Sequence, residues 1–153
     1  MRRKEKKITE LKEIEAVIQK ASVCRLGMAV DGMPYVVPVN FGYENNSIYV
    51  HCARDGRKLD MLRKNNLVCF EIDDNGTLTP KAGDPCNWGT SYKSIIGYGN
   101  AEFLEDEQEK KEGLDIIMRH YSDEETFTYK KNSVAAVVII KITITSLSGK
   151  ESH

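Results

Sequence analysis

Apolar residues recur along this chain with two periods, and the switches between them mark its elements. Ile8, Leu11, Ile14, Val17, Ile18 and Ala21 fall on one helical face with Lys and Glu opposite, and Thr9 stands where a cap would. The period then drops to two. Cys24, Leu26, Met28 and Val30 share one strand face, and Asp31-Gly32 is a hairpin turn signal. Met33 to Tyr43 sets Tyr35, Val37, Val39 and Phe41 against Val36, Pro38 and Asn40. After the turn Glu44-Asn45-Asn46, Ile48, Val50 and Cys52 alternate with Tyr49, His51 and Ala53. Asp55-Gly56 breaks that strand, and the residues from Arg57 to Arg63 read as a short basic helix. Leu67 to Asp73 is a further strand, followed by a loop from Asp74 to about Trp88. Ser91 to Leu104 is strand-like, with Gly97 and Gly99 marking a bend or bulge. A helix from about Asp106 to Tyr121 is expected to bury Leu114, Ile117, Met118 and Tyr121. A polar linker, Ser122 to Asn132, leads to a last strand from Val134 to Thr145.

These are six strands and three helices, arranged mostly as a meander without the strand–helix–strand alternation of a parallel sheet. The expected fold is mainly β (α+β): a six-stranded antiparallel barrel with outer helices, because closure removes sheet edges. The 153 residues make one domain, 1–153, long enough for a real core. Composition narrows the function classes. A formal net charge of −1 argues against a general nucleic-acid binder. MRRKEKK is basic but no apolar run follows it, so no signal peptide is expected, and the run from Val134 to Ile140 is too short to span a membrane. Cys24, Cys52, Cys69 and Cys86 have no CxxC spacing, and free thiols point to a cytoplasmic location. His51, His120 and His153 are too scattered for a zinc site. Ser–His–Asp, Walker-type and dinucleotide-binding glycine patterns are absent from the sequence.

The candidate chemistry centres on Ser47 to Asn65. Gly56 would let the backbone approach a ligand, and the first N–H groups of the basic helix carry partial positive charge. Arg54, Arg57 and Lys58 add full charges around a spot suited to a phosphate, and the same pattern also fits a solvated amphipathic helix. Pro38 inside a strand marks an edge or a bulge. Asn40 shares its face and could read the polar edge of a flat heterocycle. His51 is either a ligand contact or a structural histidine. Trp88, Tyr92, Lys93 and Ser94 stand at a strand mouth, where they could cover a ligand or pack a barrel end. Glu71 would face Leu67 and Cys69 and either pair with a base or meet an interface.

Taken together, RLG at Arg25 to Gly27, PYVVPVNFGYE at Pro34 to Glu44, YVHCARDGRKLDMLRKN at Tyr49 to Asn65, VCFEID at Val68 to Asp73, CNWGTSYKSIIGYGNAEF at Cys86 to Phe103 and SGK at Ser148 to Lys150 resemble the FMN-binding split barrel of the pyridoxamine 5′-phosphate oxidase-like superfamily. Within it the likeness is nearest to the nitroimidazole-resistance group of flavin-dependent nitroreductases. The resemblance implies FMN at the interface of a homodimer, NADH or NADPH as electron donor, and a small-molecule acceptor. By position, Pro38, Val39, Asn40 and Phe41 would lie along the isoalloxazine ring. His51, Cys52 and Ala53 would border the ring and ribityl chain, and Arg57 and Lys58 would hold the phosphate. Trp88, Tyr92 and Ser94 would reach in from the second subunit. A serine often stands where this chain has Cys52, and a thiol is the weaker donor. His51 is the candidate catalytic residue, placed to protonate a reduced acceptor. The alternatives are pyridoxamine-phosphate oxidation, a deazaflavin or haem enzyme on the same barrel, and a non-catalytic flavin store or sensor.

Overall fold

A computed structural model of the chain describes residues 3–152. Met1, Arg2 and His153, which the sequence reading counted in the domain, lie outside the described residues. The strands are β1 (Lys7–Ile8), β2 (Cys24–Val30), β3 (Met33–Val39), β4 (Gly42–Glu44), β5 (Ser47–Ala53), β6 (Leu67–Asp73), β7 (Thr77–Thr79), β8 (Gly89–Leu104) and β9 (Val137–Ser152). The helices are α1 (Leu11–Lys20), α2 (Arg57–Lys64), α3 (Glu107–Tyr121) and α4 (Lys131–Ala135), with short 3-10 turns at Lys4–Lys6 and Pro85–Asn87. All described pairings are antiparallel, and the main sheet runs β3-β2-β6-β8-β9-β5-β4.

The six expected strands form the frame of this α+β split barrel, and β1, β4 and β7 are short additions. Both tight hairpins have the turns that the sequence calls for. Asp31 and Gly32 take φ of 51° and 76°, and Asn45 and Asn46 take 49° and 58°, the left-handed pairs that match strand twist. The core lies inside the curled sheet, where Leu26, Phe41, Ile48, Val50, Phe70, Ile72, Ile95, Ile140 and Ile142 are sealed from water. Gly97 and Gly99 flank the register shift in the β8–β9 ladder, as the pattern predicted.

The structure departs from the expected elements at four places. The strand expected over Met33 to Tyr43 is broken: β3 stops at Val39 and β4 restarts at Gly42. β3 and β4 occupy opposite ends of the sheet path, so the sheet does not close and the split falls at Asn40–Phe41. Alternation continues across the break, which is why the pattern hid it. Ile8 belongs to β1 rather than to α1, Leu11 is exposed, and Glu10 rather than Thr9 takes the N-cap position, with no side-chain cap bond. Helix α3 buries Lys110, Gly113, Ile116 and Ile117, while Met118 and Tyr121 are exposed. Two of those buried positions carry no apolar signal: Gly113 admits the Ile139 side chain, and Lys110 reaches the Val134 carbonyl oxygen at 3.3 Å. The Ser122 to Asn132 linker ends in α4, and β9 begins at Val137 and runs on to Ser152.

Helix α3 packs over β4, β5 and β9. Its C-terminal half bears directly on the split. A Cβ on Gly42 would lie 2.5 Å from the Ile116 carbonyl oxygen, so the helix backbone rests on a residue that has no side chain. No helix among the described residues is long and apolar enough to cross a membrane.

Candidate functional site

Gly56 opens α2 with φ 131° and ψ 163°, a conformation that L side chains rarely adopt, and no side chain caps the helix. The first intrahelical bond runs from the Asp60 N–H to the Gly56 carbonyl at 3.2 Å. The N–H groups of Arg57, Lys58 and Leu59 therefore have no intrahelical acceptor. That end of the helix attracts an anion. Arg57 stacks its guanidinium over the Tyr35 ring at 4.7 Å, which fixes the turn against the middle of β3. Lys58 sits close enough to Cys52 to lower its thiol, although burial pushes that thiol up overall. Arg54 does not join them. Its Nη1 donates to the Ala135 carbonyl oxygen at 2.9 Å, at the C-terminus of α4.

β3 is an edge strand, paired only with β2, and it carries Pro34 and Pro38. Proline on an edge blocks the addition of another strand. From Tyr35 to Asn40 the edge runs for about 17 Å at strand rise. A basic turn and an exposed amide thus stand at the two ends of one open edge. The Asn40 amide forms no hydrogen bond among the described residues, and neither does the exposed His51 ring. Val39 is half-buried toward the core, and the Phe41 ring is fully enclosed, so it packs rather than faces solvent. Along β5, His51 and Ala53 are exposed while Cys52 turns toward the core.

The remaining predicted residues separate. Tyr92 and Ser94 border a cavity of about 450 Å³ together with Arg25, Glu71 and Asp73. Arg25 pairs with Pro38 on one side and Glu71 on the other, so this cavity lies on the outer face at the Pro38 end of the sheet. One guanidinium nitrogen of Arg25 bonds Glu71 at 2.9 Å and Asp73 at 3.2 Å. Burial and then Asp73 raise the Glu71 carboxyl, while Arg25 opposes them. Trp88 stands apart, half exposed, its indole N–H donating to the Lys81 carbonyl at 2.9 Å.

Sequence reasoning missed the partners of the split. The Phe41 N–H donates to the Tyr121 hydroxyl oxygen at 2.9 Å, and that hydroxyl donates to the Ser22 carbonyl at 2.9 Å. The His120 ring lies 4.4 Å from the Phe41 ring, centroid to centroid, with Nε2 2.7 Å from the Ala21 carbonyl oxygen. Eighty residues separate Phe41 from Tyr121, and no local pattern signals such a pair.

Residues 10–151 match the profile of the pyridoxamine 5′-phosphate oxidase family. A crystal structure of a proposed 5-nitroimidazole antibiotic resistance protein from Bacteroides thetaiotaomicron is 37% identical, with a TM-score of 0.84, covering 94% of this chain and 85% of that one. An FAD-binding protein from Mesorhizobium loti is 26% identical, with a TM-score of 0.71, covering 95% and 96%. An uncharacterised protein from Rhizobium meliloti is 27% identical over 66 residues, a match that spans 43% of this chain and 43% of that protein's length.

The nearness of Lys58 to Cys52 can be checked without any ligand. Replacing Lys58 with Ala removes a charge that lowers the thiol's pKa, so the thiolate fraction falls and alkylation of Cys52 at pH 8 slows. Peptide mass spectrometry after timed iodoacetamide treatment reads the rate, and a rate equal to that of the parent protein would place the ammonium elsewhere.

Proposed function

The chain belongs to the pyridoxamine 5′-phosphate oxidase family, and we propose that it is an FMN-binding oxidoreductase that passes electrons from NADH or NADPH to a nitro compound of the nitroimidazole type. The observation that carries the flavin reading is the uncapped basic turn at Gly56–Lys58, lying against the same free edge that ends at Asn40. The donor set fits the group: N–H groups and two cations for a phosphate dianion, an unengaged amide for the polar edge of a ring, and a strand edge that prolines keep open. Likeness to the Bacteroides protein supports the choice of acceptor.

Bound there, FMN would supply hydride acceptance from the nicotinamide and electron delivery to the acceptor. The chain's own residues bind and orient. Arg57 and Lys58 hold the phosphate by charge-assisted hydrogen bonds. Asn40 fixes the ring edge, and His51, exposed on β5, delivers a proton to oxygen as negative charge develops on the acceptor.

FAD is the second reading. The Mesorhizobium relative is an FAD-binding protein, and a cavity of about 220 Å³ bordered by Arg54, Lys110 and Lys131 together with Glu105 and Glu107 lies beyond the turn on the Arg54 side. Mass analysis of the cofactor released by heating separates the two, and the absorption spectrum separates either flavin from deazaflavin or haem.

A homodimer completes this reading. Val36, Gly27, Cys69 and Tyr98 align in one row across β3, β2, β6 and β8 on the outer face. Val36 is 63% exposed, Tyr98 48% and Ile96 45%, and an apolar groove of about 300 Å³ runs beside Val36 and Leu67. A continuous apolar face of this kind suits a two-fold contact, in which one patch meets its own copy. The Tyr92–Ser94 cavity opens on the same face, at the Pro38 end, so a partner there would border the site.

Arg57→Ala or Lys58→Ala should weaken FMN roughly ten- to a hundred-fold by fluorescence titration, since a charge-assisted bond contributes about 1.5–3 kcal/mol. Riboflavin, without the phosphate, should lose little. Equal losses for both ligands would remove the phosphate assignment.

Stopped-flow measurement of the two half-reactions tests the chemistry. NADH or NADPH should bleach the flavin anaerobically, and a nitroimidazole should restore it. His51→Ala should keep the first step and slow the second by about 10²–10⁴-fold. A wild-type flavin that nitro compounds do not reoxidise would favour the store or sensor.

Val36→Asp should convert a dimer to a monomer in sedimentation velocity. A wild-type monomer that still holds FMN tightly would refute the dimer.

A further inference from the structure

The split at Asn40–Phe41 is held from outside the sheet. Two consecutive residues, Phe41 and Gly42, meet the C-terminal half of α3. Gly42 lies under the backbone of Ile116 and Ile117, close enough to exclude any Cβ. Phe41, wholly buried, packs on the His120 ring, and its N–H is taken by the Tyr121 hydroxyl. The same hydroxyl and the His120 ring then tie α3 to Ser22 and Ala21, the residues that lead into β2. Because β2 is the neighbour of β3, the contact spans the gap from both sides: one edge through β2 and its partner β3, the other through Gly42 of β4.

Phe41 lacks a ladder partner because it sits between strands. Without Tyr121 its N–H would have no acceptor, and nothing else among the described residues would hold the connector between Val39 and Gly42 by a hydrogen bond. Asn40 precedes it and has no internal bond of its own, so its orientation follows from where Phe41 is fixed. We propose that Tyr121 and His120 are positioning residues that set the Asn40 amide for the flavin ring by bolting Phe41 across the open seam of the barrel. The proposal rests on the reading of Asn40 as a flavin contact. It adds to that reading two residues distant in sequence that do not touch the ligand.

The test is a double-mutant cycle on the FMN-loaded protein. Tyr121→Phe keeps the ring and deletes the hydroxyl that bridges Phe41 and Ser22. FMN affinity should fall about three- to ten-fold, the range of one lost neutral hydrogen bond, and the flavin's reduction potential should move in the direction that Asn40→Ala moves it. In the Asn40→Ala background, Tyr121→Phe should then change neither quantity further. Equal effects in both backgrounds, or a fall in melting temperature with affinity and potential unchanged, would overturn the proposal and leave Tyr121 as a purely structural tie. If Tyr121→Phe does not fold, His120→Gln serves: it keeps a donor for the Ala21 carbonyl, removes the ring under Phe41, and should give the same non-additivity with Asn40→Ala. A parent protein that binds no FMN, or whose potential and affinity ignore Asn40→Ala, fails at the earlier reading; a parent sensitive at Asn40 but insensitive at Tyr121 and His120 fails here.

Discussion

A two-residue connector dictates the shape of this molecule. β3 and β4 follow one another in the chain with only Asn40 and Phe41 between them, yet they terminate opposite ends of the sheet path. Sheet ends can come that close only if the strands between them curl through most of a turn. The curl creates the interior that Phe70, Ile95 and Ile140 fill, and it leaves one edge strand, with its two prolines, facing the basic start of α2. Core and candidate site are therefore two results of the same curl. Neither edge can pair with the other, because the connector is anchored outward onto α3 by a buried ring, a bare glycine and a phenol.

Much of this was legible because strand faces are written locally. The bounds of β6, the Asp31-Gly32 and Asn45-Asn46 turns, and the inward and outward sets on β3 and β5 all follow from a period of two and from residues that tolerate positive φ. The basic turn was legible for a similar reason: glycine, cations and the start of a helix stand next to one another. Other features depended on distance. The face of α3 was misread because Lys110 and Gly113 carry no apolar mark, and they are buried only because Val134 and Ile139 arrive from later in the chain. The break after Val39 was invisible because alternation ran through it. Proximity in sequence groups Arg54 with Arg57 and Lys58, whereas a helix terminus more than eighty residues on claims its guanidinium. Nothing local marks Arg25, because its bonds to Glu71 and Asp73 depend on the alignment of β2 with β6.

Chain order and sheet order disagree most at β9, and the disagreement sets the order of assembly. This strand is the last of the described elements to leave a ribosome, yet it lies between β8 and β5. β2, β3, β6 and β8 can pair while synthesis continues. The β4–β5 hairpin cannot join them until Val137–Ser152 emerges and brings Ile139 beside His51 and Ile140 beside Phe103. Completion of the sheet is thus one late event built from long-range pairs, and such pairs slow folding relative to local ones. During the wait the inner faces of β5 and β8, with Ile48, Val50 and Ala101, remain open to other nascent chains. This is the interval in which a chaperone has something to hold.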